Sequence, residues 1–370
     1  MKLTIERGAL LRALAHVQGV VERRNTIPIL SNVQLAAEDG RLSLTATDLD
    51  IAVVEAIGAE IDQAGGTTAP AHTLFDIVRK LPDGAQVQLT HHDNRLAVKS
   101  GRSTFALACL PRDDFPVMAE GETPVSFAVS APDLKRLIDR VRFAISTEET
   151  RYYLNGIYLH ATEDGGVKLL RAVATDGHRL ARIDLPLPAG AAALSGVIVP
   201  RKTVGELRKL LDEATGDVTI GVGESKVRFA FDDVVLTSKL IDATYPEYER
   251  VIPTQNDKLL EVDAKPFAVA VDRVSTISSE KSRAVKLTLE KDRLTLSATS
   301  PENGSATEEL AARYPAKSLE IGFNSRYLMD IAQQIDGETA RFLLADAGAP
   351  TVIRDAGDDS VLYVLMPMRV

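Results

Sequence analysis

Two hydrophobic periods alternate along the chain. Leu3-Thr4-Ile5 shows the period of two that marks a half-buried strand; from Leu10 to Val17 apolar residues fall three and four apart, as on one helix face. The same order returns at Val125 to Val129 followed by Leu134 to Ile145, and at Leu259 to Val262 followed by Phe267 to Ile277. An alternating hairpin comes next in each case. A second helical pattern follows (Thr73 to Leu81, Thr203 to Leu211, Tyr327 to Ile335), then a strand hairpin (Val87 to Leu107, Val218 to Ser238, Ala340 to Met366). Turn residues at Asp93-Asn94, Gly223-Glu224 and Gly348-Ala349 close those last hairpins. The pattern predicts an α+β fold of three similar domains, each of antiparallel sheet with two helices.

The residues repeat as well as the pattern. Asp39-Gly40-Arg41-Leu42-Ser43-Leu44-Thr45-Ala46-Thr47-Asp48 recurs as Val167 to Asp176 and again as Asp292 to Ser300. Thr175 lies 128 residues after Thr47, and Thr299 lies 124 after Thr175, a spacing the size of a whole domain. Polar, turn-rich stretches at Glu120-Gly121-Glu122 and between Pro253 and Asp257 place the expected domains at 1–120, 121–252 and 253–370.

Composition narrows the class. Apolar residues make up 45% of a chain without Trp, as in a globular protein. No run approaches the roughly 20 apolar residues of a membrane helix, and Lys2, Glu6 and Arg7 interrupt any signal-peptide core. Cys109 stands alone, which permits neither an internal disulfide nor a cysteine zinc cage. A cytoplasmic protein with no membrane partner is expected. The net charge of −9 argues against affinity resting on bulk phosphate neutralisation, but leaves room for local basic faces. Two appear in the middle domain. Ser130-Ala131-Pro132-Asp133 reads as an N-cap, and beyond it Lys135, Arg136, Arg140 and Arg142 fall opposite the apolar stripe. Arg201, Lys202, Arg208 and Lys209 do the same on the second helix.

Candidate chemistry concentrates at Ala174-Thr175-Asp176-Gly177-His178-Arg179-Leu180. Asp176 and His178 offer an acid/base pair on a turn, the basis for a hydrolase or transferase; equally, Asp-Gly closes a hairpin. No phosphate-binding glycine loop, His-Glu-x-x-His or Gly-x-Ser-x-Gly occurs, and His91-His92-Asp93 reads as a hairpin tip, so no metal or cofactor is expected. The first repeat has Leu49-Asp50, and the third Pro301-Glu302, where the middle one has Gly177-His178; specialisation of one repeat points to a site. Tyr245 to Pro253 reads as a proline-fixed connector, and Tyr363 to Val370 stays apolar, its Met-Pro-Met suited to an adaptable groove.

Taken with Ile27-Pro28-Ile29-Leu30, Arg151-Tyr152-Tyr153-Leu154-Asn155-Gly156, Val199-Pro200-Arg201-Lys202 and Thr237-Ser238-Lys239-Leu240, these motifs resemble, end to end, the bacterial sliding clamps, beta subunits of DNA polymerase III. The resemblance implies a head-to-tail homodimer whose six domains ring double-stranded DNA without reading its sequence. It implies a non-catalytic role in processivity, without metal or cofactor, with the polymerase catalytic subunit, the clamp loader and other clamp-binding-motif proteins as partners. It carries a partner-peptide pocket onto Leu154, Thr175, Gly177, His178, Arg179, Leu180, Pro246, Arg250, Val251, Val364, Met366, Pro367, Met368 and Arg369, with Tyr153, Asn324 and Tyr327 at the rim. DNA contact falls to Arg24, Tyr152, Tyr153 and Lys202, joined by the basic helix positions Lys135, Arg136, Arg140 and Arg201. Ring closure falls to Phe105 and Leu107 against Ile277, where the neighbouring Thr276 is smaller than the apolar residue expected at such a seam.

Overall fold

A computed structural model describes residues 1–119, 121–278 and 283–369. Glu120, at the first expected domain boundary, and Val370, the end of the apolar tail, lie outside the described residues. Six α-helices occur among them: α1 Arg7–Gln18, α2 Ala71–Lys80, α3 Ala131–Val141, α4 Arg201–Leu210, α5 Ala264–Ser275 and α6 Ser325–Ala332. They are the six that the periodicity predicts, with ends moved by a few residues. The cap before α3 forms as expected: Ser130 Oγ accepts from Asp133 N at 3.2 Å and donates to its carboxylate at 2.7 Å. The helix stops at Val141 rather than Ile145 and tightens into a 3-10 turn, Arg142–Ala144. That turn sets the Phe143 ring 5.7 Å from the buried Tyr363.

The chain forms two compact units. The first comprises Met1–Lys135, Pro188–Leu194 and Lys202–Leu240. It contains a five-stranded sheet, ordered Glu60–Gln63, Lys2–Glu6, Gln86–His92, Arg95–Ser100 and Ser103–Ala108. Its eight-stranded sheet is joined where Val234–Lys239 pairs antiparallel with Ile51–Gly58, Val235 opposite Val54. Strands far apart in sequence thus continue one another's hydrogen-bond ladder. Leu10, Ala13, Leu14 and Val17 of α1 are buried, as the stripe requires.

The second unit comprises Arg136–Leu187, Ser195–Arg201 and Ile241–Val370. Its twelve-stranded sheet is joined by Arg179–Pro186 pairing with Asp358–Leu365, Leu180 opposite Val364. Helices α5 and α6 pack together here, and Phe267 of α5 meets Phe342 edge-on at 5.2 Å. The three repeated strands occupy equivalent places as Arg41–Thr47, Val167–Thr175 and Arg293–Ser300, each hairpinned to the next strand, with closing pairs Thr47–Ala52, Thr175–Leu180 and Ser300–Gly304.

Candidate functional site

The hairpin loop after Thr175 is held by its own side chains. Asp176 Oδ1 accepts from the backbone N–H groups of His178 (2.9 Å) and Arg179 (3.0 Å); Thr175 Oγ accepts from Gly177 N (3.1 Å) and donates to Arg179 O (2.7 Å). Gly177 sits at φ +87, and a Cβ there would come 2.6 Å from Arg151 Nη1. The carboxylate is therefore committed to the turn and to Arg179 Nε at 3.1 Å, while the His178 ring stacks 5.9 Å from Tyr327. This corrects the acid/base reading: Asp176 and His178 face different partners.

Arg179 is buried, and its guanidinium lies 5.1 Å from the Phe143 ring and 4.4 Å from that of Tyr327. It donates to Asp176, to Asp330 of α6, and to Phe143 O at 2.7 Å. The joined strands and the connector enclose a cavity of about 270 Å³ beside this loop. Of the seventeen residues assigned to the pocket, Leu154, Thr175, Gly177, His178, Arg179, Leu180, Pro246, Val251, Val364 and Met366 line it. Glu247 and Tyr248 line it too; both lie within the connector stretch that the sequence singled out, but were not assigned. Beneath it Leu154, Val173, Leu180, Tyr245, Tyr248 and Val364 belong to one buried cluster, against which Tyr153 packs. The remaining positions are placed nearby or apart. Arg250 is exposed and pairs with Glu247. Asn324 caps α6 through Arg326 N at 3.0 Å. Pro367 is half-buried, Met368 bonds Gly322 O through its backbone at 2.9 Å, and Arg369 is exposed.

The helical wheel grouped basic residues that the structure sends to different tasks. Arg136 bonds Asp358, and Ser360 Oγ at 2.8 Å; Arg140, with 14% of its side chain exposed, bonds Asp336, and Gln334 O at 2.6 Å. As a correction to the single solvent-facing stripe, these two cations are engaged with the C-terminal part of their own unit. Lys135 pairs with Asp212 at 2.6 Å, and Lys202 with Asp48 and Glu22. Arg24, Tyr152 and Arg201 are exposed, and Glu148, ahead of the Arg151 loop, pairs with Arg151 at 3.2 Å.

Phe105 is 37% exposed and Leu107 half-buried on Ser103–Ala108, the outer strand of the five-stranded sheet. Ile277 is half-buried and Thr276 exposed just past α5. Nearby in sequence, Gly304–Arg313 pairs along its length with Arg293–Ser300, but on its other side only through Ala312 and Arg313, a partly open edge that periodicity alone did not expose. No group of three metal-ligating side chains occurs among the described residues, and His91-His92 stands before a turn in which Asp93 and Asn94 both have positive φ, as in a tight hairpin. Among the described residues no helix is long and apolar enough to cross a membrane.

Comparison with known proteins covers the whole chain. Family models of the DNA polymerase III beta subunit match it three times: the N-terminal domain over residues 1–119, the central domain over 128–247 and the C-terminal domain over 249–369. The beta sliding clamp of Caulobacter vibrioides is 56% identical, and that of Escherichia coli K12 40%, each covering 100% of both chains. The sliding clamp of Bartonella birtlesii, solved bound to griselimycin, superposes with a TM-score of 0.98 at 53% identity over 100% of both chains. With three consecutive domains matched and the fold shared throughout, the chain belongs to the DNA polymerase III beta subunit family, the bacterial sliding clamps.

Proposed function

We propose that this DNA sliding clamp acts as a closed head-to-tail homodimer of cytoplasmic, non-catalytic subunits around double-stranded DNA, with domains bounded near residues 120 and 252. The polymerase catalytic subunit, the clamp loader and other partners dock a short peptide in the cavity beside Thr175 to Leu180. The observation that carries the docking role is the cavity itself: Leu154, Leu180, Val251, Val364 and Met366 form apolar walls, with Arg179 and the Thr175 to His178 loop supplying the polar edge. Topological retention explains how a chain of net charge −9 serves DNA: encirclement needs only weak, mobile phosphate contacts, and strong ones would arrest sliding. Arg24, Tyr152, Tyr153 and Arg201 supply those contacts, joined by Lys135 and Lys202 where phosphate displaces their carboxylate partners. Tethering a partner then raises its local concentration at the primer end without new chemistry.

Loading onto nicked circular duplex with a clamp loader, followed by linearisation and gel filtration, tests the ring. The protein should stay with the circle and leave the linear molecule; equal loss from both would defeat the topological reading. For the cavity, Met366→Asp, at a lining residue that is itself exposed, should abolish griselimycin binding while the protein remains folded.

A further inference from the structure

One buried charged group contributes nothing to the cavity wall, yet is bonded to the segment that does. Arg171, on the strand Val167–Thr175, is 2% exposed. Its Nε and Nη2 donate to both oxygens of Asp184, its register partner, at 2.6 and 3.0 Å, and Nη2 also reaches Asp164 at 3.2 Å. Its remaining nitrogen, Nη1, donates to Glu249 Oε1 at 3.2 Å and to the Tyr248 hydroxyl at 3.4 Å. Both belong to the turn Tyr248–Val251, whose Tyr248 and Val251 line the cavity. One guanidinium thus grips the sheet with one edge and the connector with the other.

The rest of the hydroxyl's surroundings agree. His160 Nδ1 donates to Ala161 O at 3.2 Å, which leaves Nε2, at 3.0 Å, to share the Tyr248 proton with Glu249 Oε1 at 3.3 Å. Burial pushes the Tyr248 hydroxyl up to about 12 against the pull of Arg171, so that proton is present at neutral pH. Burial opposes the charge of Arg171, but Asp184 and Tyr248 outweigh it and the guanidinium stays protonated. Tyr158 stacks at 4.7 Å on Tyr245 and on His160, completing the packing behind the turn.

We infer that Arg171 is a positioning residue for the cavity: it fixes the Tyr248–Val251 turn, and thereby the gap across to Leu180 and Met366, without touching what binds there. The inference rests on the cavity being the docking pocket. A turn released from Arg171 samples several positions and must be ordered again by the ligand, so affinity falls although every lining side chain is still present.

The test uses the full-length protein and griselimycin, with calorimetric affinity and amide hydrogen exchange as readouts. Arg171→Met should weaken binding by about tenfold or more and Tyr248→Phe by several-fold, with the double variant no weaker than Arg171→Met alone, because the two act as one unit. Arg171→Lys, which keeps the charge but loses the fork, should fall between. In the free Arg171→Met protein, exchange should rise most over residues 245–252, with any rise in Val167–Thr175 and Arg179–Pro186 confined to the neighbourhood of Asp184, which loses the same guanidinium. Wild-type affinity in Arg171→Met, or faster exchange spread evenly through those strands, overturns the inference. Should Arg171→Met fail to fold, Arg171→Lys decides alone, and an unchanged affinity there also overturns it. If the wild type does not bind griselimycin, or Met366→Asp still does, the pocket reading falls and takes this inference with it. That result is distinct from the one in which wild type binds, Met366→Asp does not, and Arg171→Met binds normally.

Discussion

Two residues in matching turns show what specialisation of one repeat involves. Asp48 Oδ1 caps the backbone of Asp50 (2.9 Å) and Ile51 (2.8 Å), and Thr47 Oγ donates to Ile51 O at 2.9 Å, the same set of bonds that Asp176 and Thr175 make. The residue after the aspartate is left-handed in both: Gly177 at φ +87 and Leu49 at φ +80. Leucine bears a cost of roughly 1–2 kcal/mol there that glycine does not. Gly177→Ala should therefore destabilise the fold by about 1 kcal/mol, most of it from φ, since the facing Arg151 end can swing away. Gly177 also lines the cavity, so on the docking proposal griselimycin affinity should drop, as calorimetry would show. Leu49→Gly, in contrast, should leave the melting temperature at or slightly above that of the wild type.

At the scale of elements, two histidines tie neighbouring segments with opposite dependence on pH. His16 of α1 bonds the buried Glu55 at 2.7 Å and approaches Glu213 at 3.5 Å. Burial lowers its pKa and Arg12 adds to that, but the bond to Glu55 and the charges of Glu55 and Glu213 outweigh both, so it is raised. Its contribution is full below the unfolded value of about 6.5 and is lost as pH climbs through the folded value. His160 is the reverse: burial, helped by Arg171, lowers its pKa, so its contribution is full above about 6.5 and is lost as pH falls through the folded value. Melting curves from about pH 5 to pH 8 should show His16→Gln removing part of the loss on the alkaline side and His160→Gln part of the loss on the acid side. Helix α3 supplies a separate contrast. Arg140→Ala, which breaks the bonds to Asp336 and Gln334, should cost about 1–3 kcal/mol of stability and leave the salt dependence of DNA binding unaltered. Arg24→Ala should do the opposite, reducing the salt slope by about one with no change in melting.

For the whole molecule, the proposed ring depends on sheet edges. Ser103–Ala108 is paired on one side only and carries Phe105, and Gly304–Arg313 is largely open on one side. A head-to-tail dimer joins two such different surfaces and closes after two subunits only if each spans half a turn. Phe105→Asp should therefore shift sedimentation from twice 40.0 kDa to the 40.0 kDa monomer, and retention on circular DNA should be lost with it. Unchanged sedimentation would remove this strand from the closure surface.

By itself the sequence determined the class of fold, the six helices and the triplication, because alternation and helical spacing are local and the repeated Ala-Thr strands share a domain-length period. The stretches that hold the cavity residues were legible as motifs (an aromatic stretch with Leu154, a glycine-histidine loop, a proline connector and an apolar tail), but it was the resemblance that gathered them into one pocket, and it left out Glu247 and Tyr248. Only tertiary structure decided which charges were available. Arg136 and Arg140 lie on the polar face of α3, yet their partners, Asp358 and Asp336, are about two hundred residues away and invisible to any wheel. Arg171 is the stronger case: nothing local in the sequence marks it, and only the packing of the connector against it makes it the buried link between sheet and turn. Long-range pairing also decided the sheets, for the ladders join Val234–Lys239 to Ile51–Gly58 and Arg179–Pro186 to Asp358–Leu365. Register between distant strands is set by which faces are buried together, and that is known only once the chain has folded.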